Sequence, residues 1–354
     1  MKTLSHELQS VAEAVAEIIR DESLQPAFAP PQLRQAVLAY PLTGGKALRP
    51  ALLAWAGRAL GGPLPAALRA GAAVELYHTY TLVHDDVIDR DGLRRGHPSA
   101  HALMEEEGRR QFGLSHEAAH YGLSMAILAG DCQQSWAVAL LATLPELGAD
   151  PRVTLRLINQ LQRVVGPAIV EGEARDIQLP FLPVAVVSEA DILHMMRTKT
   201  SALFSYCGWA GGLLARGQED AEVRALAEFG ERAGTAFQLQ DDVLGLVGSE
   251  EKMGKPVGND LREGKRTLII ALAWARATEA ERAQLSTVLG HADASHEEIA
   301  AATALLRRLG AIADIQTMAA HYLQDALRYL DILTDNAGVR LLRELAGTMV
   351  KREK

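Results

Sequence analysis

Hydrophobic residues recur along this chain at the spacing of helical turns. The pattern continues as far as Leu330, and its first turns are formed by Leu4, Leu8, Val11, Val15 and Ile18. Apolar side chains three or four positions apart line one face of an α-helix. No segment alternates apolar and polar residues for more than a few positions, as a half-buried strand would. The pattern therefore predicts an all-α fold.

Clusters of proline and glycine divide this pattern into about a dozen helices. The clusters lie at residues 26–31, 61–63, 96–98, 145–151, 180–183 and 248–264. None of them is long or polar enough to be a linker between domains. The sequence therefore predicts one all-helical domain over residues 1–354.

Composition and charge limit the classes of ligand and partner that the protein is expected to bind. Of the 354 residues 48% are hydrophobic and only 5% aromatic, and the abundance of Ala and Leu favours helices. The formal net charge of -8 gives no general attraction to nucleic acid or to an anionic membrane. No nucleic-acid partner is expected, and an anionic ligand must be held by locally gathered cations or by metal.

Features of the sequence predict a cytoplasmic location. The N-terminal segment carries acidic residues throughout and has no uninterrupted apolar core, which argues against a signal or transit peptide. No stretch approaches ~20 uninterrupted apolar residues, so no membrane span is expected. Cys132 and Cys207 lack metal-ligand spacing, and we expect buried free thiols in a reducing compartment, with a disulfide as the alternative.

The most informative segment is VHDDVIDRDGLRRGH at residues 83–97, which closes an apolar helix predicted to begin near Ala72. If the helix continues through the segment, Asp85 and Asp89 lie one turn apart with Asp86 beside them. Like charges at that spacing repel, and a divalent cation would compensate them. Mg²⁺ prefers one or two carboxylates, with water and phosphate oxygens in its other positions.

Two arginines follow this acidic turn. A solvated acidic helix end is the plain alternative to a metal site. Arg94 and Arg95, followed by Gly96, weigh against it, because cations beside acids in a turn suit a metal-bound diphosphate.

A second acidic pair, Asp241 and Asp242, ends another apolar helical segment and resembles the first. Cationic residues accompany the two pairs at Lys46, Arg49, Lys199 (followed by Thr200), Lys255 and Lys265. Any one lysine is more often a solvated surface charge than a ligand. Their joint presence with two aspartate pairs indicates a site for anionic substrates.

Several motifs appear in one order and spacing, and with them the chain resembles the trans-type isoprenyl diphosphate synthases, also called polyprenyl synthetases. The motifs are GGKALRP at 44–50, ELYHTYTLVHDDVID at 75–89, RRGHPSAH at 94–101, AILAGD at 126–131, GEARD at 172–176, KTSALF at 199–204, FQLQDDVLG at 237–245 and GKPVGNDLREGKRTL at 254–268. The resemblance implies a helical bundle around a deep central cavity, with the two aspartate motifs on facing helices, and a homodimer. It also implies a Mg²⁺-dependent prenyltransferase that condenses isopentenyl diphosphate with allylic diphosphates.

The resemblance assigns a role to each matching residue. The Mg²⁺ ligands, all bridging the allylic diphosphate, would be Asp85, Asp86, Asp89, Asp241 and Asp242. Arg94, Lys199 and Lys255 would contact that diphosphate, and Lys265 is grouped with these substrate-binding cations. Isopentenyl diphosphate would be held by Lys46, Arg49, His78 and Arg95. Lys199, Thr200 and Gln238 would lie where positive charge develops.

Two positions depart from the family's pattern. The second motif usually ends in a third aspartate, but this chain has Gly245, which puts only that last ligand in doubt because a water can take its place on Mg²⁺. The glutamine of the GQxxD motif is Glu173 here. Its role is left open.

Product length should depend on what closes the apolar tunnel below the first motif. Thr81, Tyr80 and Tyr77 precede Asp85 by four, five and eight residues, so they lie on or near one helix face. Tyr80 or Tyr77 would form the floor. In having an aromatic residue five positions before the motif, the chain resembles short-chain synthases. We therefore expect geranylgeranyl diphosphate as the product, with farnesyl diphosphate as the alternative.

Three rival interpretations are kept. A terpene cyclase also uses an aspartate-rich turn, but it would carry an NSE-like or DTE-like metal triad in place of the second aspartate motif. A catalytically silent subunit of a heteromeric synthase would not need the intact first motif with its arginine pair. A plain helical scaffold is the third.

Overall fold

The computed structural model describes residues 3–248 and 258–350, without the side chain of Val350. Over these residues the protein is helical, as predicted, and the strands are two residues long. No helix among them is long and apolar enough to cross a membrane. Cys132 is half-buried, Cys207 is buried, and both are free thiols, as predicted.

The elements follow one another in a simple order. They are α1 (Leu4–Arg20), α2 (Pro31–Leu38), α3 (Leu48–Ala59), α4 (Leu64–Ile88), β1 (Leu93–Arg94), β2 (His97–Pro98), α5 (Ala100–Phe112), α6 (Ala118–Ala142), α7 (Pro151–Gln160), α8 (Gly166–Gln178), α9 (Glu189–Met196), α10 (Ala202–Arg216), α11 (Ala221–Val247), α12 (Asn259–Arg262), α13 (Leu268–Arg276), α14 (Glu279–Ser286), α15 (His296–Arg308), α16 (Ala311–Tyr329) and α17 (Ala337–Val350).

The density of internal contacts divides the chain into two compact units. The first unit comprises Met1–Gln160, Cys207–Leu226 and Leu333–Leu345. The second comprises Leu161–Tyr206, Ala227–Ile332 and Ala346–Lys354. The first aspartate motif lies in the first unit and the second motif in the second. A single domain over the whole chain stays a prediction.

Helix α4 is the central element of the first unit, where it packs against α1, α3 and α6. It begins at Leu64, eight residues before the predicted start near Ala72. The prediction was wrong because this first part is rich in small residues, which give a weak apolar pattern. Ala66, Ala67 and Ala70 are nevertheless buried there, since small side chains let neighbouring helices approach closely.

The core of the second unit is formed by aliphatic side chains of α9, α11, α13, α15 and α16. Its fully buried members include Ile192, Leu239, Val243, Ile269 and Ile315. This core fixes α11, the helix that carries the second aspartate motif.

Two local features were not predicted from the sequence. A π-helix of five residues, Arg197–Ser201, joins α9 to α10, and another, Leu161–Val165, joins α7 to α8. The strands β1 and β2 pair as an antiparallel hairpin with Arg94 opposite His97. Its two-residue turn, Arg95 and Gly96, has positive φ at both positions (54° and 77°), as tight hairpin turns require.

Candidate active site

The first aspartate motif lies at the C-terminal end of α4. The helix ends at Ile88, and Asp89 caps it by donating its backbone N–H to the carbonyl of Asp85. That hydrogen bond of 2.8 Å places Asp85 and Asp89 one helical turn apart, as predicted. Both side chains are half-buried. Their carboxylates are therefore neighbours on one face of the helix end.

Asp86 lies in a different environment from its two neighbours. Its side chain is 0% exposed. Arg94 Nε donates to its Oδ2 at 3.0 Å, Arg94 Nη2 donates to its Oδ1, and the Tyr40 hydroxyl donates to Oδ2. Both oxygens of Asp86 are therefore engaged by protein groups, and this carboxylate holds Arg94.

The β1–β2 hairpin brings Arg94 to this position. Arg94 Nη2 also lies 3.7 Å from an oxygen of Asp85 and 3.9 Å from one of Asp91. Burial lowers the pKa of Arg94, while the nearby Asp85 and Tyr40 raise it. Next to it, Arg95 donates a hydrogen bond to the carbonyl of Gly44 and so ties the hairpin to the GGK segment.

A cationic group lies further back along the same helix. Arg49 Nη1 on α3 donates to His78 Nε2 on α4 at 3.0 Å. Guanidinium can only donate, so Nε2 carries no proton. Burial lowers the pKa of His78 well below its ordinary value, and the charges of Arg49 and Arg95 lower it further. His78 is therefore a neutral group inside a cationic cluster. Lys46 lies close to Arg49 of this cluster in the sequence.

Glu75 precedes His78 by one turn. Burial raises the pKa of its carboxyl, whereas the charges of Arg49 and Arg95 lower it. Glu75 lies within the ELYHTYTLVHDDVID motif, but no role was predicted for it from the sequence.

The residues expected to limit product length are packed inside the first unit. Tyr77 is fully buried and Tyr80 is 6% exposed. Their rings meet edge to face with centroids 4.8 Å apart, and the ring of Tyr80 also contacts His84. Thr81 donates its hydroxyl to the carbonyl of His78. Of the two tyrosines, Tyr80 is thus the one that keeps some exposed surface.

In the second unit, Lys199 lies in the short π-helix Arg197–Ser201. Such π-helical segments often occur at functional sites. Its ammonium lies 2.7 Å from Glu173 Oε2 and 2.7 Å from Asp176 Oδ2, both on α8. A Cβ on Gly172 would lie 2.3 Å from the backbone nitrogen of Lys199, so only glycine permits this approach of α8. Gly172 therefore allows two carboxylates to flank one lysine.

A chain of hydrogen bonds runs beside this lysine. Thr200 Oγ1 donates to Gln238 Oε1 at 2.9 Å, and Gln238 Nε2 donates to Asp242 Oδ1 at 2.9 Å. Burial raises the pKa of Asp242 well above its ordinary value, and the charges of Asp260 and Asp241 raise it further. The structure thus joins Thr200 and Gln238, which the sequence analysis had grouped, to the second aspartate motif.

The remaining predicted cations lie near the second motif in sequence. Lys265 Nζ forms an ion pair with Glu263 at 3.0 Å. Lys255 lies outside the described residues. Lys265 is therefore placed beside an acid.

The carboxylates fit Mg²⁺ better than a metal that needs a complete protein cage. Within residues 3–248 and 258–350, no three His, Cys, Asp or Glu side chains are grouped so as to hold a metal ion by themselves. Mg²⁺ takes oxygen ligands and keeps most of its positions for water and phosphate. Paired carboxylates such as Asp85 with Asp89, and Asp241 with Asp242, suit that requirement.

Three residues that contact or lie near the predicted site residues were not predicted from the sequence. Tyr40 contacts Asp86 across 46 positions of sequence, and no motif points to it. Asp176 lies in the GEARD motif and contacts Lys199, and Asp260 lies near Asp242. For the last two, an acidic residue inside a recognised motif was the signal that could have found them.

The family model described as Polyprenyl synthetase matches residues 30–306. A geranylgeranyl diphosphate synthase from Methanosarcina mazei is 34% identical over 353 residues, covering 100% of this chain and 99% of the relative. A farnesyl diphosphate synthase from Geobacillus stearothermophilus is 37% identical over 280 residues, covering 78% of this chain and 85% of the relative.

Among solved structures, the geranylgeranyl pyrophosphate synthase from Corynebacterium glutamicum is similar, with a TM-score of 0.88 and 28% identity. The match covers 99% of this chain and 100% of that chain. That protein was crystallised with isoprenyl diphosphate and magnesium.

Proposed function

The chain belongs to the polyprenyl synthetase family, and from this premise we propose that it is a Mg²⁺-dependent prenyltransferase. It joins isopentenyl diphosphate to an allylic diphosphate and releases a short-chain product, geranylgeranyl diphosphate in the first place. Farnesyl diphosphate is the second candidate, because both kinds of synthase occur among the relatives.

The observation that carries this proposal is that α4 bears a pair of carboxylates at its end and, two turns earlier, a histidine in contact with an arginine of α3. Helix α4 presents Asp85 at its end and His78 two turns earlier, and His78 contacts Arg49. A pair of carboxylates that suit Mg²⁺ and an arginine held against the same helix suit two diphosphates bound side by side.

We assign metal binding in the first motif to Asp85 and Asp89, because Asp86 is buried against Arg94 and Tyr40. Asp241 and Asp242 are assigned the same role in the second motif. When bound, Mg²⁺ would neutralise the charge that develops on the leaving diphosphate. The assignment of both motifs to one allylic diphosphate comes from the family resemblance and stays a prediction.

The reaction breaks the allylic carbon–oxygen bond, forms a carbon–carbon bond to isopentenyl diphosphate and releases one proton. Arg94 and Lys199 would stabilise the departing diphosphate by fixed positive charge. Lys46, Arg49, His78 and Arg95 would hold isopentenyl diphosphate with its double bond near the forming cation. The oxygens of Thr200 and Gln238 would face that cation, and the departing diphosphate would accept the proton.

Helix α6 carries exposed apolar residues. Leu123, Ile127 and Leu128 on α6 are 37%, 46% and 49% exposed, and exposed apolar residues on one helix suit an interface between two copies of the chain. We propose a homodimer. A cytoplasmic location stays a prediction from the sequence.

The test is incubation of the purified protein with Mg²⁺, labelled isopentenyl diphosphate and each allylic primer in turn, followed by sizing of the products. Twenty-carbon product is expected, and fifteen-carbon product would select the second candidate. Parallel reactions in excess chelator should give no product. A pure protein that consumes no isopentenyl diphosphate with any primer would instead support the silent-subunit interpretation.

A further inference from the structure

We propose that Tyr40 is a positioning residue of the allylic site: its hydroxyl fixes the carboxylate of Asp86, which in turn orients Arg94 toward the allylic diphosphate. The inference rests on the proposed function, which gives Arg94 that ligand. Tyr40 belongs to none of the sequence motifs, and it contributes through two other residues.

The ring of Tyr40 is held firmly. It follows α2, is 4% exposed and belongs to a buried cluster with Val83, Ala100 and Ala126. These three neighbours come from α4, α5 and α6, so three helices enclose the ring. The position of the hydroxyl is therefore set by packing.

The direction of the hydroxyl proton is also set. The backbone N–H of Ala100, the first residue of α5, donates to the Tyr40 oxygen at 3.0 Å. Because the oxygen accepts from that N–H, its own proton is left to point to Oδ2 of Asp86. The start of α5 and the end of α4 are thus joined through one hydroxyl group.

Asp86 transmits this constraint to Arg94. A fully buried carboxylate is stable only when it is paired and hydrogen-bonded. Arg94 satisfies it with two nitrogens, Nε and Nη2, and such a two-point contact fixes the plane of the guanidinium. Neither of these two bonds to Asp86 uses Nη1.

Phenylalanine at position 40 would keep the ring and its packing and remove only the hydroxyl. Asp86 Oδ2 would then lose one donor, and the carboxylate could rotate together with the guanidinium. We expect Tyr40→Phe to lower kcat/KM for the allylic diphosphate by about tenfold, which is the effect of one hydrogen bond to a charged group. KM for isopentenyl diphosphate should change less than about twofold, within the variation of surface substitutions.

The experiment compares five proteins, of which four are the wild type, Tyr40→Phe, Arg94→Lys and the double variant. Tyr121→Phe is the matched control, because Tyr121 makes a ring contact with Phe112 elsewhere in the first unit. Each protein is measured for kcat and KM with both substrates, for melting temperature, and for binding of inorganic diphosphate with Mg²⁺ by calorimetry. Lysine cannot make the two-point contact, so the effect of Tyr40→Phe should disappear in the Arg94→Lys background.

The outcomes separate this inference from the proposed function. A loss confined to the allylic substrate and to diphosphate binding, and absent in the Arg94→Lys background, supports the role of Tyr40. A lower melting temperature with unchanged kinetics, or an equal loss for both substrates in both backgrounds, overturns it. If the wild type forms no prenyl product, the proposed function fails, and calorimetry alone then decides whether Tyr40 affects diphosphate binding through Arg94.

Discussion

The carboxylate of Asp260 lies 3.2 Å from the point where a side chain on Gly245 would begin. Gly245 stands where the second motif of related synthases usually has its third aspartate. The backbone N–H of Gly258 donates to the carbonyl of Gly245 at 2.9 Å and so brings α12 to the end of α11. Asp260 of α12 thus places its carboxylate beside Gly245.

This relationship predicts that Asp260 replaces the missing acid. Asp260→Ala should lower turnover roughly tenfold and raise the Mg²⁺ concentration for half-maximal rate, as loss of a supporting carboxylate typically does. Adding Gly245→Asp to that variant should restore part of the rate, because the space is then open. Steady-state assays over a Mg²⁺ series test this, with the exposed Asp293→Ala as control. Unchanged Mg²⁺ dependence in Asp260→Ala would remove this role.

Glu173 can be tested by separating its charge from its hydrogen bond. Glu173→Gln keeps an acceptor near Lys199 and removes one negative charge, so KM for the allylic diphosphate should fall roughly three- to fivefold. Glu173→Ala removes both contributions and takes away one of the two acids that flank Lys199, so kcat should fall about tenfold from misalignment. Glu171→Gln, an exposed position on the same helix, is the control. Identical kinetics for all three variants and the wild type would exclude an effect of Glu173 on Lys199.

Tyr80 should limit product length. Tyr80→Ala removes a buried ring and should allow products at least one five-carbon unit longer, whereas Tyr80→Phe keeps the ring and should keep the product. The alanine variant should also lose about 3–5 kcal/mol of unfolding free energy from the cavity left behind. Chromatographic sizing of the products measures the first effect and urea denaturation the second. Products no longer than those of the wild type would assign the floor to another residue.

His78 predicts a pH dependence of stability. Its pKa is lowered from 6.5 in the folded protein, mainly by burial, so the unfolded chain binds a proton that the folded chain does not. Stability contributed by neutral His78 is therefore present above pH 6.5 and is lost as the pH falls below that value. The loss between pH 7 and pH 5 should be smaller in His78→Asn than in the wild type or in the exposed His116→Asn. Urea denaturation without substrates measures it, and equal losses in all three proteins would contradict the assignment.

Helical periodicity predicted the parts of the site that depend on one helix. Asp85 and Asp89 lie one turn apart because the pattern of α4 continues to its end. The GGK segment and the arginine pair were also recognised, since their residues are close in sequence. Local spacing is enough for such groups because helix geometry fixes neighbouring side chains.

Contacts between distant segments could not be predicted in the same way. The contact between Asp86 and Tyr40 spans 46 residues of sequence, and burial of a carboxylate leaves no mark on a spacing pattern. The approach of α8 to Lys199 depends on Gly172. The need for glycine there becomes evident only when the backbones of α8 and of Lys199 are seen together. The hairpin at Arg95 was missed because two-residue strands give too little alternation to detect.

The most direct measurement is the turnover of purified Asp85→Ala and Asp241→Ala, one from each aspartate motif, with saturating Mg²⁺, isopentenyl diphosphate and an allylic primer. Each variant should be at least about 100-fold slower than the wild type, equivalent to about 2.7 kcal/mol in the activation barrier. The exposed Asp293→Ala should remain at the wild-type rate. Near-normal rates in both motif variants would contradict the metal-binding role of the aspartates and, with it, the proposed function.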